Sequence, residues 1–590
     1  SFYKVYYMKF LIKKIYIISF LLTIFLIQPG AFAIDSKTQY SSENISNYFL
    51  GMLFVGNDQN KEALKHLNKV QLLKDRHSKY NVELVRTLVL LEKFDQAIVF
   101  SKNVWNKNEL FFEADLLLGL DSFLKKDFKE SEKYFERLNK TSRYNLFFDD
   151  FIGNVLIAWN KASQGEKDNS FKYLGKIPKR YRHLEKIQNG FLRCYFDTND
   201  TRNFYQEIVE NENYNFSRYN FFLANYLVSK NKISEAKELI INSRNEDNSN
   251  ILIKQTENFL LNNQNNKIKN FFDCKNPKDT LAEFFYVMAN LYASERDYKL
   301  SNFYMKISIF LNNKFIPNKA LLAENYRKQK KNNLAKDIYK SLKSIGSIYS
   351  WFSSIEIAKI LSDEKGKEYA IRNLEKEFNL LNNKNFEHYY ELANIYKNNE
   401  YYEKSIKYYS LALDKIEKDH FLVSKIYDRR GTSFERLDDW ENAEKDLLES
   451  LKILPDQAHV LNYLAYTWVD RGINLDRGLE MLIKANELRN NDGYIIDSLG
   501  WAYYAKKNYI KAKFFLQKAV ELLPSDPIIN DHYADALWML NKKIQARYVW
   551  GNVLKLKETE EKLKETDEKI KESEKKQEQK KVEELNTSEK

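Results

Sequence analysis

The chain has 590 residues, a formal net charge of +12 and a sequence pI of about 9.0. This length is too great for one hydrophobic core, and the low counts of 16 glycines and 7 prolines exclude turn-rich sheet folds with glycine loops. Lysines are dispersed among acidic residues without an arginine-dense block, so we expect no nucleic-acid partner. The composition therefore predicts a long helical protein built from several domains or from repeats.

Residues 1–33 have the pattern of an N-terminal extension followed by an export signal. Met8 is the expected start, Lys9 and Lys13 supply positive charge, and residues 15–27 form an apolar run that is short for a membrane span. The small residues Ala31 and Ala33, at positions −3 and −1, predict cleavage after Ala33 and a periplasmic mature protein. The alternative is an uncleaved segment that anchors the chain in the inner membrane, as in an envelope assembly or secretion component.

Small residues recur every 34 residues along residues 44–145. If each repeat is numbered so that its first characteristic small residue is position 8, Gly51 and Gly119 occupy position 8, and Ala63, Ala97 and Ser131 occupy position 20. Two helices that cross closely need small residues where their backbones meet. The spacing therefore predicts stacked helix–turn–helix repeats in this region.

The pattern weakens across residues 146–281. Gly153, Gly190 and Ala224 fit position 8 and Ala236 fits position 20, but their partners are irregular. We interpret this region as degenerate helical repeats. A short helical domain of another type, carrying a cryptic catalytic site, is the alternative.

Regular spacing returns over residues 282–556. The repeats begin near residues 282, 316, 351, 386, 424, 458, 493 and 527, and the clearest one spans 493–526. After residue 556 the composition becomes almost wholly charged or polar, which predicts a disordered or partly helical tail at 557–590.

Leu499, Gly500, Tyr503, Ala512 and Pro524 resemble the consensus of the tetratricopeptide repeat (TPR). This resemblance implies an all-α fold, an α-solenoid of helix–turn–helix repeats. The segment 461–549 further resembles exported proteobacterial TPR proteins of unassigned molecular function, through Asn462–Tyr466, Asp470–Gly472, Asp492–Gly493, Asp497–Trp501 and Asp526–His532. That family implies protein interaction at the cell envelope and no transferable activity.

The first helices of a TPR array line its concave surface, so their inward positions 5, 9 and 12 predict a partner-binding groove. These positions combine acidic, amide and aromatic residues: Asp428, Asn462, Tyr466, Asp497, Trp501, Tyr504, Asp531, Asp535 and Trp538. Such a groove suits a protein or peptide partner that is basic and has apolar anchors. The alternative is that the aromatic rings pack between repeats and the aspartates cap helices or bond neighbouring repeats.

No catalytic motif is present, and the seven histidines are scattered, so we expect no enzymatic activity, no metal site and no cofactor. Cys194 and Cys274 lie 80 residues apart in different repeats. Because a solenoid repeat contacts mainly its neighbours, we expect two buried free thiols rather than a disulfide. The sequence thus predicts a non-catalytic scaffold or adaptor in the periplasm.

Overall fold

A computed structural model describes residues 41–556, except residues 76, 107–108, 143–149, 211–216 and 244–249. The predicted signal at 1–33 and the predicted tail at 557–590 lie outside these described residues. Within them, all regular secondary structure is helical, so the predicted all-α solenoid is confirmed. None of the described helices has the length and apolar character needed to cross a membrane.

The helices form two compact units, which divide between Ile360 and Leu361. The boundaries predicted at 145/146 and 281/282 stay predictions. The first unit contains α1 (Ser42–Gly56), α2 (Asn60–Leu67), α3 (Ser78–Leu90), α4 (Phe94–Val104), α5 (Phe112–Leu124), α6 (Phe128–Ser142), α7 (Phe151–Ser163), α8 (Lys167–Leu174), α9 (Arg182–Phe196), α10 (Thr201–Val209), α11 (Asn220–Ser229), α12 (Ile233–Asn242), α13 (Ile251–Leu261), α14 (Asn265–Phe271), α15 (Pro277–Ser294), α16 (Tyr298–Leu311), α17 (Ile316–Lys328), α18 (Asn332–Leu342) and most of α19 (Ser347–Lys365).

The second unit begins in the last turn of α19. It contains α20 (Lys367–Asn379), α21 (Phe386–Asn398), α22 (Tyr402–Leu413), α23 (Leu422–Glu435), α24 (Trp440–Ile453), α25 (Ala458–Asp470), α26 (Leu475–Leu488), α27 (Gly493–Ala505), α28 (Tyr509–Leu522), α29 (Pro527–Met539) and α30, which covers residues 543–556.

Small residues allow the two helices of each pair to cross closely. A Cβ atom built on Gly51 would lie 2.7 Å from Leu67, and one built on Gly500 would lie 2.6 Å from Leu516. Ala63 and Ala512 are fully buried on the partner helices. Positions 8 and 20 therefore have the packing role that their spacing predicts.

A left-handed backbone conformation turns the chain between the helices of each pair. Asp58, Glu92 and Lys126 have positive φ at intervals of 34 residues, and Lys507 and Asn541 repeat that interval near the other end. In region 146–281 the corresponding residues are Gly165, Asp197, Asn231 and Asn263. The described part of this region therefore consists of helix pairs, which argues against a compact domain of another type.

Cys194 and Cys274 form a disulfide, so the expectation of free thiols was wrong. The Cα atoms are 5.9 Å apart although the residues are 80 positions apart in the chain. Beside the bond, Lys275 Nζ donates to the Tyr195 carbonyl at 2.7 Å, and the rings of Phe191 and Phe272 lie 5.3 Å apart. The first unit thus brings together repeats that are not consecutive, contrary to the expectation that a repeat contacts mainly its neighbours.

The pair α15–α16 lies against the first helices α3, α7 and α9 of the N-terminal repeats. The rings of Phe284 and Phe151 are 5.6 Å apart, and Lys299 Nζ lies 3.3 Å from a carboxylate oxygen of Glu83. All eight residues from Ser301 to Ser308 are buried, so α16 is enclosed around its whole circumference.

The side chains at inward positions of the repeats in the first unit are correspondingly buried. Leu116, Leu120 and Phe123 of α5 and Ile157 of α7 are buried. These positions line the concave surface of an open TPR array. In the first unit, the chain's own α15–α16 pair packs against that surface at α3, α7 and α9.

Candidate functional site

The predicted groove residues all lie on the first helices of four consecutive pairs in the second unit. Asp428 is on α23, Asn462 and Tyr466 are on α25, Asp497, Trp501 and Tyr504 are on α27, and Asp531, Asp535 and Trp538 are on α29. Side-chain caps fix the start of two of these helices. Asp492 accepts hydrogen bonds from the Tyr494 and Ile495 amides, and Asp526 does so from the equivalent residues of α29.

Three rings form a continuous stack across α27 and α29. The ring of Trp501 lies 4.7 Å from that of Tyr504, with an interplanar angle of 5°, and 4.1 Å from that of His532, with an angle of 16°. Trp501 and Tyr504 are half-buried, so parts of them remain open to solvent, whereas the His532 side chain is only 12% exposed. The stack offers a flat aromatic surface that can take an apolar or cationic group.

Asp497 holds His532 in this stack rather than facing solvent. Its side chain is only 8% exposed, and its two carboxylate oxygens lie 3.0 and 3.1 Å from His532 Nδ1. For Asp497 the structure therefore shows the alternative in which the aspartate bonds a neighbouring repeat. The inward spacing does not predict His532 as a groove residue, although it lies one residue after the inward Asp531.

Asp535 lies one helical turn beyond Asp531 on α29. Burial raises the pKa of Asp535 above its usual value, and the charge of Asp531 raises it further, while His532 and a hydrogen bond from Trp550 lower it. Trp550 also packs 5.4 Å from Trp538, a contact that the inward-position pattern did not predict. Asp531 and Asp535 thus place negative charge beside the aromatic stack.

The remaining predicted residues lie further along the same set of helices. Burial raises the pKa of Tyr466, with smaller contributions from Asp470 and Asp497. Asn462 Oδ1 is buried and makes no hydrogen bond among the described residues. Asp428 lies 3.2 Å from His459 Nε2 and is already engaged by the next repeat.

The chemistry of these residues is suited to binding. Carboxylates and stacked rings can recognise cationic and apolar groups of a peptide. In the part of the chain that the structure describes, no three His, Cys, Asp or Glu side chains come together as a metal site would require. Stacked helix pairs with such a groove define the class of repeat proteins that act through protein interactions.

The sequence pattern of the tetratricopeptide repeat matches residues 387–414 and 496–526, which contain α21–α22 and α27–α28. These two segments of the chain are therefore tetratricopeptide repeats. Proteins with these repeats are generally interaction modules rather than enzymes.

A TPR repeat-containing protein of Pseudomonas aeruginosa is 29% identical over 136 residues, which are 23% of this chain and 22% of that protein. The chain thus aligns with about a fifth of the length of this curated relative. Among solved structures, MamA from Desulfovibrio magneticus is 17% identical, with a TM-score of 0.27 over 30% of this chain and 96% of that chain. The C-terminal part of a TPR repeat-containing protein from Cytophaga hutchinsonii is 18% identical, with a TM-score of 0.29 over 34% and 78% of the two chains.

Proposed function

We propose that the chain is a non-catalytic scaffold in the bacterial periplasm, which binds a basic peptide or protein segment in the groove of α23–α29. The observation that carries this proposal is the stack of Tyr504, Trp501 and His532 beside Asp531 and Asp535. An extended partner would place an apolar or cationic side chain on the rings. Its Lys or Arg side chains would meet the carboxylates.

The acidic groove contrasts with the positive charge of the whole chain. A net charge of +12 would repel a basic partner at long range, so the local carboxylates must supply the attraction. We therefore expect binding to weaken with salt less steeply than for a uniformly acidic protein, since rings contribute part of the contact.

The disulfide supports export as the second part of the proposal. Cys194 and Cys274 are the only cysteines in the sequence, and they are bonded to each other. Disulfides persist in oxidising compartments such as the periplasm and are rare in the bacterial cytosol. Fractionation and N-terminal sequencing test this part: a mature chain that starts after Ala33 in the periplasmic fraction is expected, and an intact inner-membrane form would contradict it.

Fluorescence polarisation with designed peptides tests the groove. The probe is a labelled peptide in which lysines alternate with leucine and phenylalanine, and its control has glutamate in place of each lysine. We expect tighter binding of the lysine peptide, and Asp531→Lys/Asp535→Lys should lower its affinity by about tenfold or more.

The matched control variant is Glu480→Lys/Glu487→Lys, which reverses two exposed carboxylates on the second helix α26, outside the groove. It should bind the lysine peptide like the wild type. Equal losses in both variants would mean that general charge, rather than the groove, determines binding.

A further inference from the structure

The outer face of the last two repeats is unlike that of the three repeats before it. Positions 18 and 22 are charged and exposed in the repeats that begin near 386, 424 and 458: Glu403 and Lys407, Glu441 and Lys445, Asp476 and Glu480. In the last two repeats the same positions are Ile510 and Phe514 on α28, and Ile544 and Tyr548 on α30.

These four apolar side chains are strongly exposed. Ile510 is 75% exposed, Phe514 64%, Ile544 85% and Tyr548 82%. Residues four apart lie on the same side of a helix, and equal positions of consecutive repeats lie side by side on the outer surface of a TPR array. Together the four side chains form what we call the apolar ridge.

The ridge is not the stacking face of an array end. Ile510 and Phe514 belong to the penultimate repeat, which is followed by α29 and α30. The side chains that stack on α29, such as Ala512, Leu516 and Ala519, are fully buried on other sides of α28. A further repeat at the C-terminal end would therefore leave the ridge uncovered.

Basic residues surround the ridge almost without acidic ones. Residues 499–520 contain five lysines and no acidic residue, and residues 536–556 contain Lys542, Lys543, Arg547 and Lys555 and no acidic residue. Lys507, Lys511, Lys542, Lys543 and Arg547 are exposed, but Lys543 Nζ lies 5.2 Å from the ring centroid of Trp538 on the groove side. By contrast, α24 and α26 carry both acidic and basic residues at the corresponding positions of their repeats.

We propose that the apolar ridge docks the chain on an anionic membrane surface. Exposed apolar side chains flanked by cations are the combination that binds the interface of acidic lipids, because the apolar groups enter the acyl boundary while the cations pair with phosphate headgroups. A convex ridge of four residues fits a flat surface, whereas a protein partner that buried it would need a complementary concave face. The lysine stems extend the apolar area while their ammonium groups stay in water.

This docking leaves the proposed groove accessible, since the ridge lies on the second helices and the groove on the first. The inference stands whether or not a peptide binds Trp501. The two faces also differ in charge, because the groove carries Asp531 and Asp535 while the ridge is flanked by cations. An anionic surface would therefore orient the last repeats with the groove away from the lipid.

Site-specific fluorescence on the full chain tests the proposal. An environment-sensitive dye is attached through Tyr548→Cys, and the control carries it through Leu380→Cys, a position that is also exposed in the second unit. The native cysteines are bonded and buried, so the dye labels the introduced thiol. Vesicles of phosphatidylcholine with phosphatidylglycerol should shift the emission of the dye at position 548 to the blue, while pure phosphatidylcholine should not.

The dye at position 380 should not respond to either vesicle. Adding Ile510→Asp and Phe514→Asp to the labelled chain should lower its partition onto the anionic vesicles by about tenfold or more. The absence of a blue shift at position 548, equal shifts at both positions, or partition unaffected by the two substitutions would overturn the proposal. The ridge would then be assigned to a protein partner.

Discussion

His532 links the aromatic stack to the acidic side of the groove, since its face lies on Trp501 while its Nδ1 contacts Asp497. The contact crosses from one repeat to the next and is almost fully buried. A buried carboxylate beside an imidazole fixes the orientation of both groups. The position of the Trp501 ring, which the proposed partner would touch, therefore depends on Asp497 indirectly.

Asp497→Ala should lower the free energy of unfolding of the second unit by about 1–3 kcal/mol, because His532 would lose its buried partner. Urea titration followed by circular dichroism measures the change. Asp470→Ala removes an exposed carboxylate from the end of α25 and should alter stability by less than about 0.5 kcal/mol. Equal effects of the two substitutions would contradict the structural role of Asp497.

Asp535 gives stability a pH dependence of predictable sign. Its pKa is higher in the folded chain than in the unfolded chain, so the folded state binds the proton more tightly. The charged form opposes folding above the raised pKa, and this cost is relieved as the pH falls through that pKa. Asp535→Asn should therefore raise the Tm at neutral pH and flatten the dependence of Tm on pH in the mildly acidic range.

Differential scanning calorimetry at several pH values measures both effects. Asp535→Asn should at the same time weaken the binding of the lysine peptide, because the substitution removes a negative charge from the groove. A lower Tm of this variant at neutral pH would show that the carboxylate stabilises the fold.

The sequence predicts the location of these residues better than their partners. Inward spacing alone places Trp501, Asp531 and Asp535 on the first helices, because one face of a helix recurs at fixed intervals. It does not reveal the pairing of Asp497 with His532, which depends on how closely α27 and α29 approach. Whether the nine groove residues bind a partner stays a prediction.

At the scale of helix pairs, the α27–α28 pair depends on the absence of a side chain at Gly500. A Cβ atom on Gly500 would lie 2.6 Å from Leu516 Cγ and 3.1 Å from the Leu516 backbone nitrogen. The side chain of Leu516 is fully buried and has little room to move. Sequence spacing predicts a small residue at this site because position 8 recurs with the repeat.

Gly500→Ala should destabilise the second unit by about 1–3 kcal/mol through overpacking of α27 against α28. Gly551→Ala is the matched control, since a Cβ atom there would meet nothing within 4 Å. That substitution lies inside α30 and should stabilise by about 0.5–1 kcal/mol through helix propensity. Thermal unfolding of both variants measures the difference, and a stabilising Gly500→Ala would contradict the packing of the pair.

At the scale of the whole molecule, the two units differ in how their concave surfaces are used. The second unit leaves the groove of α23–α29 partly open, whereas the first unit encloses α16. Spacing did not predict this enclosure, because the repeat pattern of α15–α16 is ordinary: Ala289, Tyr292 and Ser301 match positions 8, 11 and 20. Long-range contacts leave no periodic signal in a single sequence.

The disulfide between α9 and the loop before α15 should contribute strongly to the first unit. Closing a loop of 80 residues constrains the unfolded chain, and the loop-entropy relation gives about 4.5 kcal/mol. Cys194→Ser/Cys274→Ser should lower the stability of this unit accordingly, as measured by urea titration. Dithiothreitol should weaken the wild type in the same way and leave the double variant unchanged; equal sensitivity of the two would contradict the assignment.

The contacts of α16 and α17 with the first repeats also determine how the first unit can come apart. Phe310 stacks on Phe94 at 4.2 Å, and Gln329 donates to Asp58 at 2.8 Å across more than 200 residues of chain. An open stack loses its terminal repeats one after another, because each contacts only its neighbour. Here later helices of the chain pack against the N-terminal repeats, so a force applied at residue 41 must break these contacts first. Single-molecule stretching should record one large unfolding event for the first unit, rather than a series of small unfolding events.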